Sequence, residues 1–410
     1  MTSRQRVLTA LQHQQPDRTP IDLSGHRSSG ISALAYARLR DYLGLPKRPI
    51  RVYDVIQQLA IVDEDLLNRF HVDTIELGRA FATNDSWWHE WELPDGTACL
   101  IPTWVKPVRQ NGEWILQSKA GNTTARMPPG VLYFEQSQYP FATKPDINNL
   151  EDYFDEVMWT SIASPPGPVA SGPNRLHALA QGATELRQSS NRAILALFGG
   201  NLLEMGLFFY RNDNFLLLLA ANPAEAHQFL DKVTEIHLRN LEDFLYAVGP
   251  HVDIIVFGDD FGMQHGPQIS PRMYQEFFQP RQKAMWDLTR QLTPHINIQL
   301  HCCGGIRPLL PGLIQAGLQS INPVQINCKG MNPAELKAEF GQHLTFWGGG
   351  CNTRDVLSHA SPDEIKTHVQ QLNTVWNQNG GHVFQQVHNI LADVPPANVV
   401  AMYDAIAEAR

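Results

Sequence analysis

Long hydrophobic runs are missing from this 410-residue chain. The longest, Phe215–Ala221, stops at Asn214 and Asn222, well short of the ~20 apolar residues a membrane-spanning helix needs. The opening Met1-Thr2-Ser3-Arg4-Gln5-Arg6 leads into no secretory apolar stretch, so a cytoplasmic protein without a membrane partner is expected. Positive charge is scarce too: 32 Lys and Arg face 41 Asp and Glu, a formal net charge of −9. That argues against nucleic acid or an anionic membrane as the main partner, but leaves room for a small anion in a local basic pocket. The five cysteines, Cys99, Cys302, Cys303, Cys328 and Cys351, are too few and too clustered for a disulfide framework. In a reducing compartment such clustering points to metal binding or catalysis. Neither a Gly-x-Gly-x-x-Gly dinucleotide loop nor a Gly-x-Ser-x-Gly nucleophile elbow occurs, which removes the usual support for an open dinucleotide-binding sheet or a serine hydrolase.

What is present is a rhythm. Short runs rich in β-branched, aromatic or other apolar residues recur at Pro20–Leu23, Val72–Leu77, Ala193–Phe198, Val252–Gly258, Ile296–Leu300, Ser320–Pro323, Leu344–Trp347 and His382–Val387. They lack clear polar alternation, as expected of strands buried on both faces. Helical patterns lie between them. Ser270-Pro271 opens one that runs to about Thr293, Ser361-Pro362-Asp363-Glu364 opens another that ends at Asn379-Gly380-Gly381, and Pro395-Pro396 starts the last. Eight strands alternating with helices predict a single (β/α)8 TIM barrel spanning residues 1–410.

One segment, about residues 85–140, breaks the rhythm after the second strand. Turn signals at Pro94-Asp95-Gly96, Asn111-Gly112 and Gly121-Asn122 predict an antiparallel β insertion. It holds Trp87, Trp88, Trp91, Trp104 and Trp114 of the nine tryptophans, which suits either a lid over the barrel mouth or a homodimer interface.

The chemistry-bearing residues fall at strand ends, which in a barrel converge on one mouth. His301 closes the fifth strand in His301-Cys302-Cys303-Gly304-Gly305, and an extended chain puts His301 and Cys303 on one face with Cys302 on the other. Cys351 follows Gly348-Gly349-Gly350 after the seventh strand. One imidazole and two thiolates are soft ligands suited to Zn2+, with a fourth position open. Asp259 and Asp260, after the fourth strand, are candidate acid–base groups, and so is His388 after the eighth. Glu204, Asn389 and Arg27 are candidate substrate-binding residues. The Gly348–Gly350 run has a lesser reading as a phosphate cradle.

Several motifs carry a family resemblance. They are Ser3-Arg4-Gln5-Arg6-Val7-Leu8 with Pro16-Asp17-Arg18-Thr19-Pro20, Gly258-Asp259-Asp260 with Ile269-Ser270-Pro271, Phe346-Trp347-Gly348-Gly349, and Val387-His388-Asn389-Ile390 with Asp393-Val394-Pro395-Pro396. With them the chain resembles the uroporphyrinogen decarboxylase superfamily, which includes cobalamin-dependent methyltransferases, over nearly its whole length apart from the insertion. The resemblance implies the same barrel. It also implies a branch. The arginine-rich stretch of the decarboxylases is replaced by Ile21-Asp22-Leu23-Ser24-Gly25-His26-Arg27, and their catalytic aspartate is not found in Ile75-Glu76-Leu77-Gly78-Arg79-Ala80. The zinc-dependent methyltransferases bind metal through His-x-Cys and a later Cys, positions matched by His301, Cys303 and Cys351. The implied activity is methyl transfer between a small methoxylated or thiol substrate and a corrinoid (cobalamin). With no Asp-x-His-x-x-Gly pattern here, the corrinoid is expected on a separate corrinoid protein. A decarboxylase of a tetrapyrrole or related acid is the alternative, with Arg27, Arg79 and Arg307 as its candidate basic groups. A non-catalytic metal or tetrapyrrole carrier is the third reading.

Overall fold

A computed structural model describes residues 1–161 and 173–409. Its centre is a parallel sheet whose strands follow one another in chain order: Thr74–Glu76, Ala193–Gly199, Ile254–Gly258, Asn297–His301, Ser320–Asn322, Thr345–Trp347 and His382–Val383. The segment around Ile21 closes it. Asp22 N–H donates to Phe384 O and Phe384 N–H to Pro20 O, each at 2.8 Å, while Asp73 N–H donates to Ile21 O at 2.8 Å on the other side. Ile21 therefore bridges the last strand to the first of the sheet, and all eight expected strands form a closed (β/α)8 barrel.

Both faces of the strands are buried, but the two faces pack differently. Ala193, Leu195, Ile254, Val256, Trp347 and Val383 fill the barrel interior, and Val7 of the N-terminal helix Ser3–Leu11 joins them from below. Ile194, Ile255, Ile298, Leu300, Ile321 and Phe346 face outward into the layer under the helices. The alternation is real, but it divides apolar from apolar and so leaves no polar signal in the sequence.

The opening motif secures the base. Arg6 and Arg18 both bind the buried Asp73, at 2.6 and 2.7 Å, and Arg4 binds Asp253 at 2.7 Å. These charges tie the chain's start to the beginnings of the second and fourth strands, so they serve the fold rather than the mouth. Ser361 caps Pro362–Trp376 through the expected box: its N–H donates to Glu364 at 2.8 Å and its hydroxyl accepts the Glu364 N–H.

The insertion is antiparallel, with a hairpin Trp88–Glu92/Ala98–Pro102 and a second sheet built from Val108–Gln110, Glu113–Gln117, Thr123–Met127 and Glu135–Gln136. The helix expected after the second strand is present, as Pro173–Ser189, once the insertion has been traversed. Leu93, Ile101, Leu116, Ala125, Met127 and Phe134 share one apolar cluster with barrel residues such as Ile21, Leu23 and Ile390. Among the described residues no helix is long and apolar enough to cross a membrane.

Candidate metal centre and active site

Parallel register sets the level of the site. Gly258 pairs with His301 and His301 with Asn322, so three adjacent strands end at one height. His301, Cys303 and His388 gather there, with their ligand atoms all within 4.8 Å of one another. Cys303 Sγ lies 3.5 Å from His301 Nε2, close to the roughly 3.5 Å that a tetrahedral zinc imposes on an N and an S donor. His388 has φ 62°, a left-handed conformation that a residue with a Cβ adopts at some cost.

The neighbours prepare these donors. Asn322 Nδ2 donates to Trp347 O at 3.1 Å and to Gln385 Oε1 at 2.6 Å. That fixes its amide so that Oδ1 accepts from Ser28 Oγ at 2.6 Å and from His301 Nδ1 at 2.9 Å. His301 then carries its proton on Nδ1 and presents a lone pair on Nε2, the tautomer a metal requires. Burial and His301 lower the His388 pKa to about 4, so this imidazole is neutral at pH 7. Burial, with Asp260 second, pushes the Cys303 thiol well above its usual range. Without a metal the thiol therefore keeps its proton.

Of the expected ligands, Cys351 stands outside this group, and His388 takes the third position. The physical reason is the turn before it. Gly348 and Gly349 have φ 119° and 68°, and a Cβ on Gly348 would lie 2.1 Å from Pro323 O. The chain doubles back and places Cys351 in the apolar layer with Leu357, Val369, Phe384 and Tyr403, fully buried; burial pushes its thiol up to about 12. The same turn rules out the phosphate cradle, because the Gly348, Gly349 and Gly350 N–H groups donate to Val383, Pro323 and Gln385 carbonyls at 3.0, 2.9 and 2.9 Å. Cys302 points away from the site and accepts the Phe261 N–H at 3.3 Å.

The adjacent aspartates have separate tasks. Asp259 accepts N–H groups from Leu202, Leu203 and Glu204 at 3.0, 2.8 and 2.9 Å, anchoring the start of helix Leu203–Tyr210. It is a helix cap rather than an acid–base group, although burial raises its carboxyl to about 7 against those donors. Asp260 belongs to the site: its Oδ1 accepts the Cys303 N–H at 2.7 Å and lies 3.7 Å from His301 Nε2. Glu204 accepts the Asp260 N–H at 3.3 Å. Burial, reinforced by Asp260 and Asp259, lifts its carboxyl well above the usual range, and Asn201 Nδ2 donates to it. Asn389 is a brace, accepting the Gly30 N–H and donating to Gln57 Oε1, each at 3.0 Å. Arg27 lies beside the mouth, 3.4 Å from Asp54. Asn322 and Ser28 were not singled out from sequence; a polar residue at the end of the apolar run Ser320–Pro323 was the available signal.

A family model described as uroporphyrinogen decarboxylase (URO-D) matches residues 208–409, the half of the chain that carries Asp260, His301, Cys303 and His388. The chain belongs to the uroporphyrinogen decarboxylase superfamily. Within it, the uroporphyrinogen decarboxylase of Synechocystis sp. is 24% identical over 184 residues, 44% of this chain and 47% of its own length. That of Pseudoalteromonas atlantica is 26% identical over 193 residues, 45% and 49% respectively. The chain thus spans about half the length of the curated relatives it matches. A solved structure, a methyltransferase from Methanosarcina mazei, superposes with TM-score 0.59 at 15% identity, covering 100% of this chain and 99% of that one. At that identity the likeness is one of fold, and it covers the whole chain.

Proposed function

We propose that this superfamily member is a zinc-dependent methyltransferase that moves a methyl group between a small methoxylated or thiol substrate and a corrinoid presented by a partner protein. The observation that carries the reading is the His301–Cys303–His388 group at the barrel mouth. Two neutral imidazoles and one thiolate fit Zn2+ and leave it a net positive charge, with room for one further ligand. When bound, zinc supplies Lewis acidity that lowers the pKa of a substrate thiol or favours departure of an ether oxygen.

The remaining work falls to the chain's own side chains. Asn322 holds His301 in its metal-ready tautomer. Asp260 fixes the backbone at Cys303 and, through its own N–H, orients Glu204. Glu204, held against the Asp260 N–H with burial favouring its protonated form, is the chain's candidate to supply a proton to a departing oxygen. The corrinoid provides the demanding methyl chemistry while the barrel positions its partner. The insertion, packed between the barrel wall and the mouth, is an edge against which a corrinoid protein or a second copy of this chain would dock.

The decarboxylase reading has the relatives' names in its favour. It needs basic groups to converge on the cleft. Arg307 is held at the surface by Glu335 and Glu339, which leaves only Arg27 and the buried Arg79 of the three candidates. The test is metal analysis of the purified protein, followed by assays with cob(I)alamin plus methoxylated aromatics and with methylcobalamin plus thiols. About one zinc per chain with transfer in either assay supports the methyltransferase. Carbon dioxide release from uroporphyrinogen without methyl transfer would replace it with the decarboxylase.

A further inference from the structure

Backbone pairing between the fourth and fifth barrel strands stops at their ends. Gly258 is paired with His301, and the Asp259 N–H still donates to His301 O at 3.1 Å. Beyond that point side chains replace carbonyls. Asp260 Oδ1 accepts the Cys303 N–H at 2.7 Å, and Cys302 Sγ accepts the Phe261 N–H at 3.3 Å. The dipeptides Asp260-Phe261 and Cys302-Cys303 therefore hold each other reciprocally, each giving one backbone N–H and one side-chain acceptor. Alternation along extended chain explains the division. Asp260 and Cys303 face the mouth, while Phe261 and Cys302 share an apolar cluster with Tyr274 and Ile306 under the helices.

A sulfur suits this place. Phe261 is fully buried and Cys302 is 2% exposed, so removing the sulfur would leave a buried N–H donor unsatisfied. A thiol is a small apolar group that is also a weak acceptor. A serine oxygen, on a shorter bond, would fall short of the N–H and bury a hydroxyl among apolar neighbours. The other bonds of Asp260-Phe261 run elsewhere. Asp260 O accepts from Gln268 Nε2 and Phe261 O from the Gln268 N–H, each at 2.7 Å, and the Asp260 N–H donates to Glu204.

The consequence reaches the metal donors. Asp260 Oδ1 stands 3.7 Å from His301 Nε2, and Cys303 Sγ lies 3.5 Å from that same nitrogen. Sliding the Asp260 loop off the fifth strand would release the Cys303 N–H and with it the aim of the thiol. We propose that Cys302 is a positioning residue of the metal centre: it binds no metal, and through the Phe261 N–H it seats Asp260 on the Cys303 backbone. The adjacent cysteines thereby divide their work as the adjacent aspartates do. The effect on metal rests on the zinc reading; the reciprocal bridge does not.

The experiment uses the full chain with isotope-labelled cysteine and phenylalanine, as the parent, Cys302→Ala, Asp260→Ala and the double variant. Amide hydrogen exchange is followed without metal, and zinc affinity by competition with a chromophoric chelator. Cys302→Ala should speed exchange at both Phe261 and Cys303 about tenfold, with the Cys99 and Phe346 amides unchanged as internal controls. It should weaken zinc binding about tenfold. Because Cys302 acts through Asp260, the double variant should match Asp260→Ala in Cys303 exchange and in zinc affinity rather than multiply the two losses. Cys302→Val, which fills the space and accepts nothing, should repeat Cys302→Ala, and it carries the test should the smaller side chain fail to fold. The proposal is overturned if the Cys303 amide exchanges as in the parent, if Cys99 and Phe346 speed up equally, or if the two substitutions multiply. The expected exchange pattern in a parent that takes up no zinc removes the metal reading and leaves Cys302 positioning Cys303. Stoichiometric zinc, with equal affinity and unchanged Cys303 exchange in Cys302→Ala, does the reverse.

Discussion

The His301 imidazole gives its Nδ1 proton to the Asn322 side-chain oxygen at 2.9 Å, and the two residues are paired neighbours on adjacent strands. Register alone therefore decides which nitrogen of His301 is free for a metal. Removing that acceptor should leave the barrel standing and loosen the metal. Asn322→Ala is expected to lower zinc affinity by about 10- to 100-fold, as outer hydrogen-bond partners of ligand imidazoles commonly do, whereas Asn322→Asp should largely retain it. Competition with a chromophoric chelator measures both. Equal affinity in Asn322→Ala would show that the tautomer is set elsewhere.

The ligand set makes a sharper prediction. Cys303→Ser and His388→Ala should each lose stoichiometric zinc, while Cys351→Ser should keep it. Cys351 sits in an apolar layer, so its replacement buries an unpartnered hydroxyl and should cost about 1–3 kcal/mol in urea unfolding. Zinc lost from Cys351→Ser and kept in His388→Ala would instead support the ligands expected from spacing alone.

That contrast shows where the sequence was readable. Strand existence was legible because each run is short, apolar and bounded, and all eight occupy the expected places. His301 and Cys303 were legible because two-residue spacing in extended chain has one geometric meaning. Cys351 was expected at the site but is placed apart from it, because position after a strand does not reveal direction and Gly348 and Gly349 turn the chain back within two residues. His388 was noticed as a polar group but given a different task, since its left-handed backbone leaves no mark in the sequence. Asp259 and Asp260 are adjacent and chemically identical. Only the helix start at Leu203, which lies 56 residues away in the chain, separates their roles.

Proton release should accompany metal binding. The Cys303 thiol is held protonated by burial and by Asp260, whereas His388, at about 4, is already neutral. Between pH 7 and 8.5, zinc uptake is expected to release about one proton, and apparent affinity should rise about tenfold per pH unit. Calorimetry in buffers of differing ionisation enthalpy counts the protons. A pH-independent affinity would mean that the thiol is already ionised or does not bind.

Glu76 should also appear in the pH dependence of stability. Its folded pKa of about 7 lies above its ordinary value of 4.5, so between those values the folded chain holds a proton that the unfolded chain has lost. The group's contribution is full below about pH 4.5 and declines as pH rises to about 7, by up to about 3 kcal/mol from the shift alone. Glu76→Gln should therefore gain stability over the parent on going from pH 4.5 to pH 8, measured by urea unfolding at both. An identical difference at the two values would place the carboxyl in water.

The insertion should behave as part of the barrel rather than as an appendage. Leu116 and Met127 are 4% and 2% exposed and share a cluster with Ile21 and Leu23 of the first strand. Leu116→Ala or Met127→Ala should cost about 2–5 kcal/mol. The loss should appear in one transition, because unfolding the insertion uncovers the first strand and the segment that closes the barrel. Fluorine resonances of 5-fluorotryptophan at Trp91 and Trp114, which meet edge-to-face at 5.5 Å, and far-ultraviolet dichroism dominated by the helices should then give coincident curves. Separate curves would mean that the insertion folds independently, and deleting residues 85–140 would become a clean test of docking. Coincident curves mean that the deletion only destroys the fold, so docking must be probed with surface substitutions on an intact insertion.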